Sequence, residues 1–255
     1  RGGETGQIAV FRHCAPDSAG VANGVFTDAL VEPIGKERVE LDAEQPSLGE
    51  QRAMLLDERH EVFRHIAVRE QSGISVLNSL GIQNATTVLD PVFLLERAQW
   101  EAMAEKPEHC KKPYLIVYDC EKSAAICKLA ERIAAERGLH IYSVFKLPYA
   151  ERCFPLCGPE AFLGLMQNAA FVLSNSFHAT AFSVIFEKEF AVVERTEKIN
   201  TRMRDFTAML GLSDHMVTTK TDIPFDTDWA SVRRCLKGEI DHAKAYIDEV
   251  VRDGE

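Results

Sequence analysis

The sequence lacks any apolar run approaching the roughly 20 residues that a bilayer-spanning helix needs, so no segment reads as transmembrane. It is also short of positive charge: 29 lysines and arginines face 39 acidic residues, for a net charge of −10. That balance argues against bulk nucleic-acid binding, which needs a basic face. It leaves room for an anionic small molecule, because a few arginines can make a local positive pocket. Gly-x-Gly-x-x-Gly and P-loop patterns are missing, as are internal repeats and low-complexity segments. No histidine cluster suggests a metal, and none is expected. The opening residues Arg1-Gly2-Gly3-Glu4 carry no initiator methionine and no signal-peptide core, and read as an internal start, a processed chain or a trimmed one.

Cysteine is present seven times, but at irregular spacings and without a Cys-x-x-Cys. Cys153 and Cys157 are the one close pair. A zinc site is the lesser reading; reduced, packing thiols in a cytosolic protein are the greater.

What is there is an ordinary globular balance, 46% hydrophobic and 27% charged, on 255 residues, enough for one large domain or two small ones. Residues 1–49 are broken by glycine and proline, with a strand at 8–11, and a helix is expected over 49–63. From there the pattern alternates. Strands are expected at 66–68, 86–89, 114–118, 139–145, 171–173 and 190–193. A turn fills 69–73 and a loop 146–157. Helices follow from 74 to a stop at Gly81, over 97–105, and from the Ser123 cap through Arg137 with Ile126, Leu129, Ala130 and Ile133 inward. Further helices open at Pro159 and Phe177, and run over 201–210 and 227–251. This order implies an α/β fold built on a right-handed parallel sheet with helices on both faces.

The chain is organised around residues 168–190. A buried strand gives way at Ser174-Asn175-Ser176 to a helix. These residues suit an N-cap, and a helix start offers unpaired N–H groups and a positive dipole end to a carboxylate or phosphate. His178 lies in the first turn beside that spot. On its own the pattern also fits a capped helix whose histidine packs.

Two arginine sites follow the same logic. Arg69 sits at the carboxyl end of a strand, where ligands of open α/β sheets collect; a surface ion pair with Glu70 is the plainer alternative. Arg202 and Arg204 fall in the first turn of a helix capped by Asn200, where positive charge opposes the dipole by about 0.3–1 kcal/mol each. An anion there would offset the repulsion; reach toward Asp205 or solvent is the alternative.

These segments carry a resemblance. Asn175-Ser176-Phe177-His178-Ala179-Thr180-Ala181-Phe182-Ser183, with Phe186 and Lys188, resembles the S-F-H-G-x-x-F-S-I-I-F-x-K-P-F signature of the polysaccharide pyruvyl transferase family. Val68-Arg69-Glu70-Gln71-Ser72-Gly73, Leu80-Gly81-Ile82 and Val88-Leu89-Asp90-Pro91 are similar to its V-R-E-x-S-G, L-G-I and V-L-D-P block. Gly158-Pro159-Glu160-Ala161-Phe162-Leu163 and the stretch from Asn200 to Leu212 are similar to two further elements. Ala179 stands for the usual glycine, where it is expected to crowd a backbone approach, and Glu189 for the usual proline.

The resemblance implies a fold of two Rossmann-like parallel-sheet halves facing across a cleft, GT-B-like as in a large glycosyltransferase class, with the N-terminal half reduced or incomplete. The expected division is 1–110 for that half, 111–225 for the half with the donor site, and 226–255 for a helix packing on the body. The implied activity moves a pyruvyl group from phosphoenolpyruvate to a sugar hydroxyl of a cell-surface glycan or its lipid-linked precursor, leaving a ketal. His178 and Arg69 are the expected catalytic residues, His178 as general acid or base. Asn175, Ser176, Arg202, Asn200, Glu70 and Asp90 are the expected substrate contacts. No cofactor beyond the donor substrate is implied, and the expected location is the cytoplasm, including the inner face of the membrane. A nucleotide-sugar glycosyltransferase and a non-catalytic sugar- or anion-binding protein are the competing readings.

Overall fold

Strands apolar at every position must be covered on both faces, and Tyr114-Leu115-Ile116-Val117, Phe171-Val172-Leu173 and Phe190-Ala191-Val192-Val193 are such strands. A computed structural model describes residues 65–108, 110, 112–195 and 200–254. The strand expected at 8–11 and the helix at 49–63 lie outside these. Contacts divide the described chain into one unit of residues 88–249 and another of residues 65–87 with 250–254. That boundary lies ahead of the expected one at residues 110 and 111.

In the smaller unit, β1 (Ile66–Val68) and β2 (Ala85–Thr87) pair in parallel with Ile66 opposite Ala85. Between them runs α1 (Gln71–Ser79), which opens earlier than expected and takes up part of the turn foreseen at 69–73. Ile66, Val68, Leu77 and Ile82 form its small core. Gly73 lets the helix approach the strand, since a Cβ there would stand 3.1 Å from that of Val68.

The larger unit contains α2 (Arg97–Met103), β3 (Tyr114–Tyr118), α3 (Ala124–Arg137), β4 (His140–Ser143), β5 (Arg152–Cys153), α4 (Pro159–Asn168) and β6 (Phe171–Ser174). It continues through α5 (Phe177–Ile185), β7 (Phe190–Val193), α6 (Thr201–Met209) and β8 (Met216–Val217) to α7 (Trp229–Gly254), whose residues 250–254 are grouped with the smaller unit. Its six strands are all parallel, in the order β5-β4-β3-β6-β7-β8. The chain therefore builds outward from β3 in one direction, returns, and builds outward from β6 in the other. Loop 146–157 contributes β5, a two-residue strand not foreseen.

Side chains alternate across the sheet as the pleat requires. Tyr114, Ile116, Val172 and Val192 enter one core with Met166 of α4, Phe182 of α5 and Phe206 of α6. Leu115, Val117, Leu173 and Ala191 enter the other with Ile126, Leu129, Ala130 and Ile133 of α3. The expected α/β class, with a parallel sheet covered on both faces, is the one observed. Ser123 caps α3 through its side chain, and Gly138 closes it in the left-handed region at φ +64. Trp229, Val232, Leu236, Ile240 and Ala243 lay the apolar face of α7 on the first core. Among the described residues no helix is long and apolar enough to cross a membrane.

Two small features hold the helices in place. Where α4 meets the segment after α2, a Cβ on Gly164 would fall 1.6 Å from the carbonyl oxygen of Glu105, and Glu105 donates its N–H to the carbonyl of Glu160 at 2.9 Å. Glu189, in place of the proline of the resembled signature, accepts from the Thr227 hydroxyl at 3.0 Å and its N–H at 3.4 Å, tying the approach to α7 onto the start of β7.

Candidate functional site

Parallel α/β sheets gather ligands beyond the carboxyl ends of their strands, at the point where strand order reverses. Here that point lies between β3 and β6, adjacent strands paired from Leu115 and Phe171 to Tyr118 and Ser174. The turns leaving them lead into α3 and α5. Asp119, the first residue beyond β3, is wholly buried. Its carboxylate accepts from the N–H of Glu121 at 3.0 Å, the N–H of Ser123 at 2.6 Å and the side-chain amide of Asn175 at 2.9 Å. Asn175, the first residue beyond β6 and also buried, accepts in return from the N–H of Cys120 at 3.2 Å. Each turn is thus fastened by a side chain of the other. Asn175 was expected to touch substrate; in the structure its amide and carbonyl serve this cross-bond.

Ser176 takes the N-cap position of α5, but no side chain caps the helix. Ser174 supplies the local bond instead, its hydroxyl accepting the N–H of Ser176 at 2.8 Å. The Ser176 hydroxyl is engaged by Tyr118: burial pushes the Tyr118 hydroxyl above its ordinary range, while the hydrogen bond to Ser176 and the charge of Arg195 pull it down. His178 follows in the first turn of α5, half-buried, with the Phe177 ring 5.8 Å from the imidazole. Ala179 is wholly buried in the core under α5.

Phe177 links His178 to Arg202. The Arg202 guanidinium lies 3.5 Å above the Phe177 ring, and its Nη2 donates to the carboxylate of Asp90. Asp90 is buried and also caps the turn at Pro91–Phe93 by accepting from the N–H of Val92 at 3.1 Å. The anion expected to offset Arg202 at the start of α6 is therefore a carboxylate of the chain itself. Arg204 is balanced likewise by Glu194 at 2.5 Å, a pairing that holds the glutamate below the usual carboxylate range.

Asn200 does not cap α6. Its backbone is helical and no side-chain cap bond forms. The side chain grips Arg195 on both sides, accepting from its N–H at 2.8 Å and donating to its carbonyl at 3.0 Å. Arg195 reaches the acid Glu121, Nε to Oε1 at 3.2 Å.

Arg69 and Glu70 lie in the smaller unit, directly after β1, where Glu70 is the extended N-cap residue of α1 and buried. His178, Asn175, Ser176, Asp90, Asn200 and Arg202 lie in the larger unit. The residues that sequence reasoning missed are Asp119, Glu121 and Arg195. A polar residue directly after a strand was the signal used for Arg69; applied to Tyr118-Asp119 it would have found the first of them. The six cysteines among the described residues form no disulfide.

The family model described as polysaccharide pyruvyl transferase matches residues 47–197, more than half of the chain. No curated protein matches. Among solved structures the chain is similar to the glycosyltransferase SnogD from Streptomyces nogalater, at 12% identity with a TM-score of 0.35, over 69% of this chain and 60% of that one. The match thus spans less than two thirds of the length of that protein.

Proposed function

The chain belongs to the polysaccharide pyruvyl transferase family, and from that premise we infer that it transfers a pyruvyl unit from phosphoenolpyruvate to a sugar of a surface glycan or its lipid-linked precursor. The observation that carries this reading is the position of His178: the first turn of an uncapped helix, at the carboxyl edge of a parallel sheet, beside its switch point.

The chemistry sets clear demands. The donor's methylene carbon must gain a proton, and the sugar oxygen must bond to the adjacent carbon. A second hydroxyl then displaces phosphate to close the ketal. One hydroxyl proton balances the new methyl group, and the other leaves with the phosphate. Imidazole suits either proton transfer near neutral pH. The positive end of α5 favours an anion beside it. Arg69 is assigned to the donor's phosphate or carboxylate, as guanidinium geometry suits both. Arg202 enters as a guanidinium whose charge Asp90 shares, so its contribution is to hold Phe177 and the adjoining turn as much as to attract a second anion.

Phosphate release from phosphoenolpyruvate, measured against a panel of glycosides, tests the reading. His178→Ala is expected to abolish release with the fold intact. A thermal shift with a nucleotide sugar and none with phosphoenolpyruvate would replace this function by nucleotide-sugar transfer.

A further inference from the structure

We propose that Arg195 is an additional anion-binding residue of this site, that Glu121 holds it in place between ligands, and that the phosphate or carboxylate of the donor displaces Glu121 from it. The proposal deepens the function inferred above and rests on that reading for the identity of the donor.

The placement comes from strand order. Arg195 lies two residues beyond the end of β7, whereas Glu121 lies three residues beyond the end of β3. β6 stands between those two strands. The Arg195–Glu121 contact at 3.2 Å therefore bridges over the carboxyl end of β6, above the turn that carries Asn175 and Ser176 and opens α5. The charge of Arg195 is felt at the Tyr118 hydroxyl, which bonds Ser176, and at the Cys120 thiol, which contacts Asn175.

Three features mark this guanidinium as more than a surface ion-pair member. Its side chain is only 27% exposed and that of Glu121 only 14%. Its backbone is held on both sides by the Asn200 amide, which fixes the root of an otherwise flexible side chain and reduces the ordering a ligand would have to impose. Its ion pair with Glu121 also spans the start of α5, where the N-cap residue Ser176 makes no side-chain cap bond. Glu121 then acts as a stand-in anion: it keeps the guanidinium oriented and is the competitor that an incoming phosphate or carboxylate replaces, for which a planar fork of donors is suited.

Binding of phosphoenolpyruvate, inorganic phosphate and pyruvate to the full chain, read by calorimetry, tests this. Arg195→Gln is expected to weaken phosphoenolpyruvate about tenfold, the equivalent of roughly 1.4 kcal/mol. Glu121→Gln is expected to tighten it several-fold, and the gain should vanish in the Arg195→Gln background if the two act on each other. A gain that persists in the double variant reports only the general field and overturns the proposal, as does unchanged binding by Arg195→Gln. If Arg195→Gln does not fold, Arg195→Lys replaces it, expected to retain part of the affinity; full retention overturns the proposal. Arg195-dependent binding of inorganic phosphate without any response to phosphoenolpyruvate would sink the donor assignment while sustaining this inference. If no anion binds the wild type, both fall.

Discussion

A single missing methyl decides how closely α4 meets the segment after α2. Because a Cβ on Gly164 would overlap the carbonyl oxygen of Glu105, relief requires moving backbone, not a side chain. Gly164→Ala is expected to destabilise the protein by about 3 kcal/mol or more, read as a lowered denaturation midpoint. At the switch point the cross-bonded pair has a different signature. Asn175→Ala removes one of three donors from the buried Asp119 carboxylate and should cost about 1–3 kcal/mol. Residues of this kind were only half legible in the sequence. His178 and Asn175 stood out because strand, polar turn and helix follow one another without a gap. Asp119 and Arg195 owe their roles to partners 56 and 74 positions away, and no local pattern shows such a partnership.

At the scale of elements, reading was easiest where the caps were local. β3 and α3 fall where the apolar run, Ser123 and Gly138 place them, and Ser123→Ala should cost about 1 kcal/mol, measurable by chemical denaturation. Reading was poorest where a cap residue had a better partner elsewhere, as with Asn200, whose amide meets Arg195. The join between β7, β8 and α7 carries a pH response. His215 is buried, with Nδ1 2.9 Å from the Phe190 carbonyl and Nε2 3.5 Å from the Thr227 hydroxyl. Burial pulls its pKa below the ordinary 6.5, against the Phe190 bond and the charges of Asp214 and Glu189. Its neutral form is then kept in the native state where an unfolded chain would already take a proton. The associated stability is whole above the ordinary value and declines as pH falls from there toward the lowered one. Melting temperatures between about pH 7.5 and 5.5 should drop more steeply for wild type than for His215→Asn, which carries no titrating group. Equal slopes would show that the imidazole has no such effect.

On the scale of the molecule, the α/β class was legible because strands covered on both faces have to be apolar throughout, and such runs recur between amphipathic segments. The strand order was not legible. It depends on which strand returns to lie beside β3, and no local pattern along the chain states that. The same order means that the two outward-growing halves of the larger sheet meet along one seam, the β3–β6 ladder. Asp119 and Asn175 lock that seam at its carboxyl end, so the turn bearing His178 cannot open by local fraying of one half alone. The backbone amide of Cys120, which donates to Asn175 across the seam, should therefore exchange its hydrogen with solvent as slowly as the strand interiors.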